Sequence, residues 1–191
     1  MQRLQHLLIP VMLLAMISCQ PRGQNIKIIA TTDVHGSFFP TDINSGKEKP
    51  VSLARVQSLV RIERSIQDQE VVLLDNGDII QGDPVVYYYN FEKTDVPHLC
   101  GQILNFMKYD AATVGNHDIE AGHPVYDRLV SESNFPWLAA NAISTDNGEP
   151  YFQPYSIIEK GGVRMAVLGL ITPAIPSWLP PDIWSGNLEN G

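Results

Sequence analysis

Three short polar clusters in the sequence combine carboxylate, imidazole and amide side chains with neighbouring glycines. In chain order they supply Asp33 and His35, then Asp78, then Asn116 and His117. Carboxylate, amide oxygen and neutral imidazole are suitable ligands for Mn, Zn, Fe or Mg in mixed nitrogen and oxygen sites. Two such cations, about 3.5–4 Å apart, can bind phosphoryl oxygens and activate water for in-line attack. These residue types therefore indicate metal-assisted hydrolysis of a phosphate ester.

The order of the clusters predicts how they could share two ions. Asp33 and His35 are two residues apart, a spacing that can aim both side chains at one ion. Asp78 comes from the middle cluster and is the candidate for a carboxylate that bridges the ions. Asn116 would offer its amide oxygen to the second ion. The alternative for any single residue is a turn or a helix cap, because Asp and Asn favour both for reasons unrelated to metals.

Each cluster follows an apolar run that is typical of a buried strand. Strands are predicted at residues 26–31, 70–74, 111–114 and 136–140, helices at 53–66, 97–107 and 123–133, and a β-hairpin at 155–159 and 163–169. Alternating strands and helices predict an α/β layered domain. Ligands of such sheets bind beyond the carboxyl ends of the strands, where the three clusters lie.

The composition limits the classes of partner. The chain has 191 residues, of which 44% are hydrophobic and 18% charged, as in a globular domain rather than a disordered one. The net charge of −8 argues against a nucleic-acid polymer as partner, since backbone binding requires a basic surface. A small phosphorylated substrate is compatible with this charge, because bound cations can supply the local positive charge.

The N-terminus has the pattern of an export signal. Arg3 precedes an apolar run at residues 7–17, which has the length of a signal-peptide core rather than of a membrane span. Residues 16–19 resemble the cleavage box of bacterial lipoproteins, in which the cysteine, here Cys19, becomes the lipidated N-terminus. The alternative is an ordinary signal peptide with an incidental cysteine. We predict a signal peptide at 1–19, a tether at 20–25, a folded domain at 26–191, and a lipid-anchored location in the periplasm or at the outer membrane.

The three clusters match the motifs D-x-H-G, G-D-x-x-x-G and G-N-H-D in order, and the sequence thereby resembles the calcineurin-like metallophosphoesterases. Stretches at residues 30–36, 137–141 and 169–173 are similar to the bacterial 5'-nucleotidase and 2',3'-cyclic-nucleotide 2'-phosphodiesterase branch, and the resemblance covers roughly residues 26–185. It implies an α/β fold, the four-layer αββα sandwich. It also implies two divalent metal ions, with Mn, Zn, Fe, Mg and Ca all open, and a small nucleotide as substrate.

The resemblance assigns expected roles to residues of this chain. Asp33 and His35 would ligate the first metal, Asp78 would bridge, and Asn116 would ligate the second metal. His117 would stabilise the transition-state charge or protonate the leaving group.

A carboxylate orients this histidine in the family. Many relatives have an Asp three residues after the His, where this sequence has Glu120. Glu120 could serve with its longer reach, or Asp118 could take part.

The sequence also departs from the family pattern. The later single-His and G-H-x-H motifs do not occur, and His123 is too close to His117 to replace either of them. The first metal would then lack one protein ligand and the second metal two. We therefore expect a sandwich that is incomplete at its C-terminus, in a fragment of a nucleotidase whose activity is open. The alternative from another class is a noncatalytic surface lipoprotein that binds a partner.

Several other chemically suggestive residues are interpreted as structural. Asp75 ends a strand and is expected to be a turn carboxylate or to support the ligands from behind, rather than to bind metal itself. His98 is expected to be structural. The single cysteine of the mature chain, Cys100, cannot form an internal disulfide and is expected to be a small buried hydrophobe, with a metal-binding or nucleophilic role as the alternative. The aromatic run at residues 87–89 is assigned mainly to packing.

Overall fold

Four parallel strands form the main sheet, and their spatial order is their order in the chain. The structure, a computed structural model, describes residues 25–184. The strands are β1 (Asn25–Thr31), β2 (Gln69–Asp75), β3 (Ala111–Thr113) and β4 (Trp137–Leu138). All four occur where the sequence predicts them, the last two shorter than expected. Because they are parallel, their carboxyl ends lie along one edge of the sheet.

Helices lie between these strands and also follow β4. They are α1 (Leu53–Arg64), α2 (Pro84–Tyr87), a π-helical segment (Tyr88–Glu92) that continues α2, α3 (Leu99–Met107), α4 (Asn116–Glu120), α5 (His123–Glu132), α6 (Ile175–Trp178) and α7 (Pro181–Trp184). Right-handed crossovers that progress in one direction place the connecting helices on the same face of the sheet. The main core includes Leu73 of β2, Leu104 of α3 and Leu129 of α5, all buried.

The central position of β2 explains its apolar sequence. β2 pairs with β1 on one side and with β3 on the other. Its residues Val71, Val72 and Leu73 are buried, as expected for a parallel strand that is covered on both faces. The edge strand β1 is less covered, and its Ile28 is exposed.

A two-stranded antiparallel sheet packs on the main sheet and confirms the predicted hairpin. Its strands are β5 (Tyr155–Lys160) and β6 (Val163–Leu168). The two connecting residues, Gly161 and Gly162, both have positive φ, as a two-residue type I′ turn requires. Lys160 Nζ donates a 2.7 Å hydrogen bond to the Val71 carbonyl oxygen and so fixes the hairpin on β2.

The start of α3 differs from the prediction, which placed Pro97 in its first turn. The helix begins at Leu99 because His98 caps it: the His98 Nδ1 accepts a 3.1 Å bond from the Cys100 backbone N–H. The His98 Nε2 lies 2.8 Å from the Asn90 Oδ1 and donates to it. Burial lowers the pKa of His98 to about 4, which keeps the ring neutral. His98 and Cys100 are both fully buried, which confirms the structural interpretation of each.

Some predictions concern residues outside the described part of the chain. The signal peptide at 1–19, Cys19 and all of the tether except its last residue precede residue 25. Within residues 25–184, no helix has the length and apolar character needed to cross a membrane.

Candidate metal centre

The loops after β1 and β2 run side by side beyond the ends of their strands. The Asp33 backbone N–H donates to the Gly77 carbonyl oxygen at 3.1 Å, and the His35 N–H donates to the Asp78 carbonyl oxygen at 3.0 Å. These bonds extend the parallel pairing of β1 with β2 by a few residues. The first and second polar clusters are therefore held together by backbone contacts.

Asp33, His35 and Asp78 form one compact group of potential metal ligands. One ligand atom from each lies within 4.8 Å of the ligand atoms of the other two. All three residues have left-handed backbone conformations, with φ of 52°, 48° and 59° respectively. Non-glycine residues rarely adopt positive φ, and such strain is concentrated at functional sites. Three neighbouring residues with strained backbones and converging ligand atoms are therefore better explained by a cation site than by ordinary turns.

The hydrogen bonding of His35 fits a role as a neutral metal ligand. Its Nδ1 lies 3.0 Å from the carbonyl oxygen of Gln81, so the Nδ1 carries the proton and donates it. The lone pair of His35 Nε2 then remains available for a cation. Proteins usually fix the tautomer of a ligating histidine in this way, with a hydrogen bond from the ring nitrogen that does not bind the metal.

The third loop anchors the side chain of Asp78. The His117 backbone N–H donates a 2.9 Å bond to the Asp78 Oδ1. Gly115 permits this approach, because a Cβ atom at that position would lie only 2.1 Å from the same oxygen. Asn116 stands between Gly115 and His117 and therefore belongs to the segment that contacts Asp78. Asn116 is also the first residue of α4.

Asp118 organises the loop that carries Asp78. Its carboxylate accepts four backbone hydrogen bonds, from the N–H groups of Asp78, Ile79, Ile80 and Gly115, at 2.9–3.1 Å. The side chain is buried, and burial raises the pKa of Asp118 although these donors oppose the shift. Both oxygens of Asp118 are therefore occupied by the backbone. The suggestion that Asp118 could orient His117 is not supported by this geometry.

Glu120 is the carboxylate that contacts His117. The His117 Nδ1 lies 2.8 Å from the Glu120 Oε1, and this hydrogen bond raises the pKa of His117. The His117 and His35 ring centroids are 5.4 Å apart. The imidazole–carboxylate pair thus stands beside the group of metal ligands.

Asp75 and His123 lie outside the ligand group. Asp75 is buried and accepts hydrogen bonds from the Thr31 hydroxyl at 2.5 Å and from the Gly77 N–H at 3.0 Å. Burial raises the pKa of Asp75 to about 7. His123 Nδ1 lies 3.0 Å from the Tyr151 hydroxyl, at the start of α5. Asp75 is therefore the turn carboxylate that the sequence predicts.

Sequence reasoning missed the role of Asp118 and the carbonyl partner of His35. The sequence does contain a signal for the role of Asp118, because an acidic residue at the third position of a helix is typical of a capping box. The Asp118 carboxylate accepts from the Gly115 N–H in that way. No signal identifies the Gln81 carbonyl as the partner of His35, because a main-chain acceptor can belong to any residue type.

Comparisons with known proteins agree with this geometry. The family model described as calcineurin-like phosphoesterase matches residues 26–185. The trifunctional nucleotide phosphoesterase protein YfkN of Bacillus subtilis is 32% identical over 201 residues, covering 92% of this chain and 14% of the relative. The 2',3'-cyclic-nucleotide 2'-phosphodiesterase/3'-nucleotidase of Haemophilus influenzae is 33% identical over 171 residues, covering 81% of this chain and 25% of the relative.

Solved structures show the same fold. The crystal structure of calcineurin-like phosphoesterase YfkN from Bacillus subtilis has a TM-score of 0.68 at 34% identity, covering 79% of this chain and 49% of that chain. The crystal structure of the 5'-nucleotidase precursor from Thermus thermophilus has a TM-score of 0.60 at 26% identity, covering 78% of this chain and 29% of that chain. The predicted metallophosphoesterase fold is confirmed, although this chain spans only a minor part of these relatives. The ligand atoms of Asp33, His35 and Asp78 converge within the matched region. Because the family model covers most of the chain, this protein belongs to the calcineurin-like phosphoesterase family.

Proposed function

We propose that this chain takes part in the metal-dependent hydrolysis of nucleotide phosphoesters, with 5'-nucleotides or 2',3'-cyclic nucleotides as substrates. The observation that carries the proposal is the convergence of Asp33, His35 and Asp78 beside His117. The relatives are named for nucleotide substrates, which supports that substrate class.

The ligand roles follow from the chemistry of the donors. Asp33 and His35 would hold one divalent ion, Asp78 would bridge, and Asn116 would contribute to a second ion. When bound, the ions would reduce the repulsion between the phosphoryl oxygens and an attacking water and would activate that water. The protein supplies fixed donors, because Asp78 is anchored by a backbone N–H and His35 by the Gln81 carbonyl.

His117 is proposed to handle the proton of the leaving group. Glu120 holds the Nδ1–H of His117, so the Nε2 of the protonated ring would serve as proton donor or hydrogen-bond donor. Because Glu120 raises the pKa of His117, a larger fraction of the ring is protonated at neutral pH than in an unpaired histidine. A protonated imidazole can protonate the departing oxygen as the ester bond breaks.

A metal titration combined with a hydrolysis assay tests this proposal. The 191-residue chain is titrated with Mn²⁺ by calorimetry, and phosphate or nucleoside release from 5'-AMP and 2',3'-cyclic AMP is followed with Mn²⁺ present. We expect Mn²⁺ binding that Asp78→Asn reduces by at least tenfold, together with hydrolysis that the same variant abolishes. Asp146→Asn, at an exposed loop carboxylate, is the matched control and should change neither quantity.

The outcomes separate the enzyme from the noncatalytic alternative. A folded chain that binds no Mn²⁺ would contradict the proposed metal site. A chain that binds Mn²⁺ at Asp78 but hydrolyses neither nucleotide would contradict the proposed activity and favour a binding role. Circular dichroism of each variant shows whether the fold is retained.

Export and lipid anchoring are proposed on the sequence alone. Residues 1–19 would direct export, residues 20–25 would form a tether, and residues 26–191 would form the exported domain, at the outer membrane or in the periplasm. The chain expressed in a bacterium with a lipoprotein pathway should incorporate labelled palmitate, and Cys19→Ser should abolish incorporation. Labelling that is unchanged in Cys19→Ser, or absent in the unaltered chain, would contradict the anchor.

A further inference from the structure

A chain of buried hydrogen bonds leads from the first turn of α3 to the loop after β2. The Cys100 backbone N–H donates to His98 Nδ1 at 3.1 Å, and His98 Nε2 lies 2.8 Å from the Asn90 Oδ1. The Asn90 Nδ2 then donates to the Ile80 carbonyl oxygen at 2.9 Å. Asn90, His98 and Cys100 are all buried. Two polar side chains of the core thus connect the helix to the loop that carries Asp78.

The first donor determines the direction of every bond in this chain. A backbone N–H can only donate, so the Nδ1 of His98 must accept and its Nε2 must carry the ring proton. That proton requires an oxygen, which fixes the orientation of the Asn90 amide and points its NH₂ group at the Ile80 carbonyl. Burial lowers the pKa of His98 to about 4, so the ring remains neutral and its Nδ1 remains an acceptor at neutral pH.

The residues that follow Ile80 enclose His35. The Gln81 carbonyl oxygen accepts from the His35 Nδ1 at 3.0 Å. Gly82 lies so close that a Cβ atom there would be 3.0 Å from the His35 Cβ. The Asp83 backbone N–H donates to the His35 carbonyl oxygen at 3.1 Å. This short segment therefore holds both the ring and the main chain of His35.

Asn90 fixes a part of the loop that Asp118 leaves unbound. Asp118 accepts from the N–H groups of residues 78–80, whereas Asn90 binds the next polar group along the chain, the Ile80 carbonyl oxygen. That carbonyl belongs to the peptide unit that joins Ile80 to Gln81. Without Asn90 the carbonyl would be buried and short of a donor, which favours rotation of this peptide towards another partner. Such a rotation would displace the Gln81 carbonyl from the His35 ring.

We propose that Asn90 and His98 are positioning residues for the metal ligand His35, and that they act through the Ile80–Gln81 peptide. Neither residue belongs to the ligand group. Their effect is to keep the Gln81 carbonyl at the His35 Nδ1–H, so that the Nε2 lone pair is available for a cation. The inference rests on the proposed function in one respect, namely that His35 is a ligand.

Two substitutions of His98 separate positioning from helix capping. His98→Asn retains a side-chain oxygen that can cap α3, but it has no group at the place of the Nε2 and so loses the bond to Asn90. His98→Gln places an NH₂ group near the position of the Nε2 and can still donate to Asn90, while it lacks the acceptor of the cap. Only the first variant should therefore disturb His35.

The tautomer of His35 in the metal-free chain is the direct measurement. The 191-residue chain is treated with EDTA, and ¹⁵N NMR of the imidazole nitrogens reports which nitrogen carries the proton. We expect the Nδ1–H form in the native chain and in His98→Gln. His98→Asn and Asn90→Ala should both raise the population of the Nε2–H form. The same two variants should weaken Mn²⁺ binding, measured by calorimetry, by about tenfold, the lower end of the loss typical of residues that orient a ligand.

Asn105→Ala provides a matched control. The Asn105 Nδ2 donates to the Glu132 carbonyl oxygen at 2.8 Å, and its Oδ1 accepts from the Asn134 N–H at 2.7 Å. This variant therefore removes two hydrogen bonds, as Asn90→Ala does, but none of them reaches the loop after β2.

The proposal is refuted if Asn90→Ala changes the His35 tautomer no more than Asn105→Ala does. It is equally refuted if His98→Asn and His98→Gln give the same tautomer, and this pair decides the question even where Asn90→Ala does not fold. The tautomer is measured without metal. A native chain that binds no Mn²⁺ would therefore contradict the proposed function, while the tautomer would still decide the role of Asn90 and His98.

Discussion

Replacing Asp118 by Asn should destabilise the protein and disorganise the metal centre together. In the native structure the two carboxylate oxygens accept four backbone N–H groups. Asn keeps one oxygen, which can retain two of these bonds, and presents an NH₂ group to the other two donors. The backbone of Asp78 is one of the four donors, so the loop that carries a proposed metal ligand is directly affected.

The expected loss can be estimated from the two donors that are left without an acceptor. A buried unsatisfied donor costs about 1–3 kcal/mol, which gives roughly 2–6 kcal/mol for two. Burial of the native carboxylate is itself unfavourable, as its raised pKa shows, and Asn relieves that cost. We therefore expect the lower half of the range, about 2–4 kcal/mol, which is a large fraction of the roughly 5–15 kcal/mol that stabilises a typical domain.

Urea unfolding and Mn²⁺ titration of Asp118→Asn measure the two effects. The urea concentration at the unfolding midpoint should fall, while the dependence of the unfolding free energy on urea concentration stays the same. The affinity for Mn²⁺ should also fall. Asp146→Asn is the control, since surface substitutions usually change stability by no more than about 0.5 kcal/mol. A loss of stability in Asp118→Asn no larger than that in Asp146→Asn would refute the idea that Asp118 organises the loop. An unchanged Mn²⁺ affinity would refute it as well.

Three further substitutions follow from contacts in and around the site. Gly115→Ala should weaken Mn²⁺ binding, because its Cβ would lie 2.1 Å from the Asp78 Oδ1, and calorimetry measures the loss. Glu120→Gln should lower the pKa of His117, measured by NMR titration, because the bond to Glu120 is the main cause of the raised value. His98 has a folded pKa of about 4 against 6.5 when unperturbed, so its contribution is present above pH 6.5 and lost as the pH falls towards 4. His98→Gln should therefore flatten the acid dependence of the unfolding free energy, by up to about 3 kcal/mol.

Matched controls distinguish these effects from general loss of stability. Gly101→Ala adds a Cβ whose nearest neighbour, the flexible Leu129 Cδ1, lies 3.3 Å away, and should leave Mn²⁺ binding unchanged. Glu149→Gln, at an exposed loop, should not move the titration of His117. An acid dependence in His98→Gln as steep as that of the native chain would show that other groups govern acid unfolding.

Much of the fold was predictable because its signals are local. β2 is an apolar run long enough for a strand buried on both faces, and the glycine pair at 161–162 identifies the hairpin turn. The predicted helix at 97–107 begins two residues late because His98 folds back to cap it, and that bond depends on the rotamer of one side chain. Contacts of this kind decide where helices and strands begin and end. The hydrophobic periodicity of the sequence does not reveal them.

The sequence alone determined which residues were candidates for a metal centre. Asp33, His35, Asp78, Asn116 and His117 follow predicted strands in an order and spacing that predict a metal centre, since parallel strands bring their carboxyl ends to one edge. Composition and motif order are properties of the chain itself, so no packing information was needed for that step.

Only the tertiary structure decided how those residues are held. Asp118 and Glu120 are both acidic and both close to His117 in sequence, yet one binds four backbone N–H groups and the other binds the imidazole. The left-handed conformations of the proposed ligands likewise arise where separate loops meet. Such features depend on which groups from distant parts of the chain come into contact. The packing of the whole fold stabilises these contacts, and no local segment of sequence specifies them.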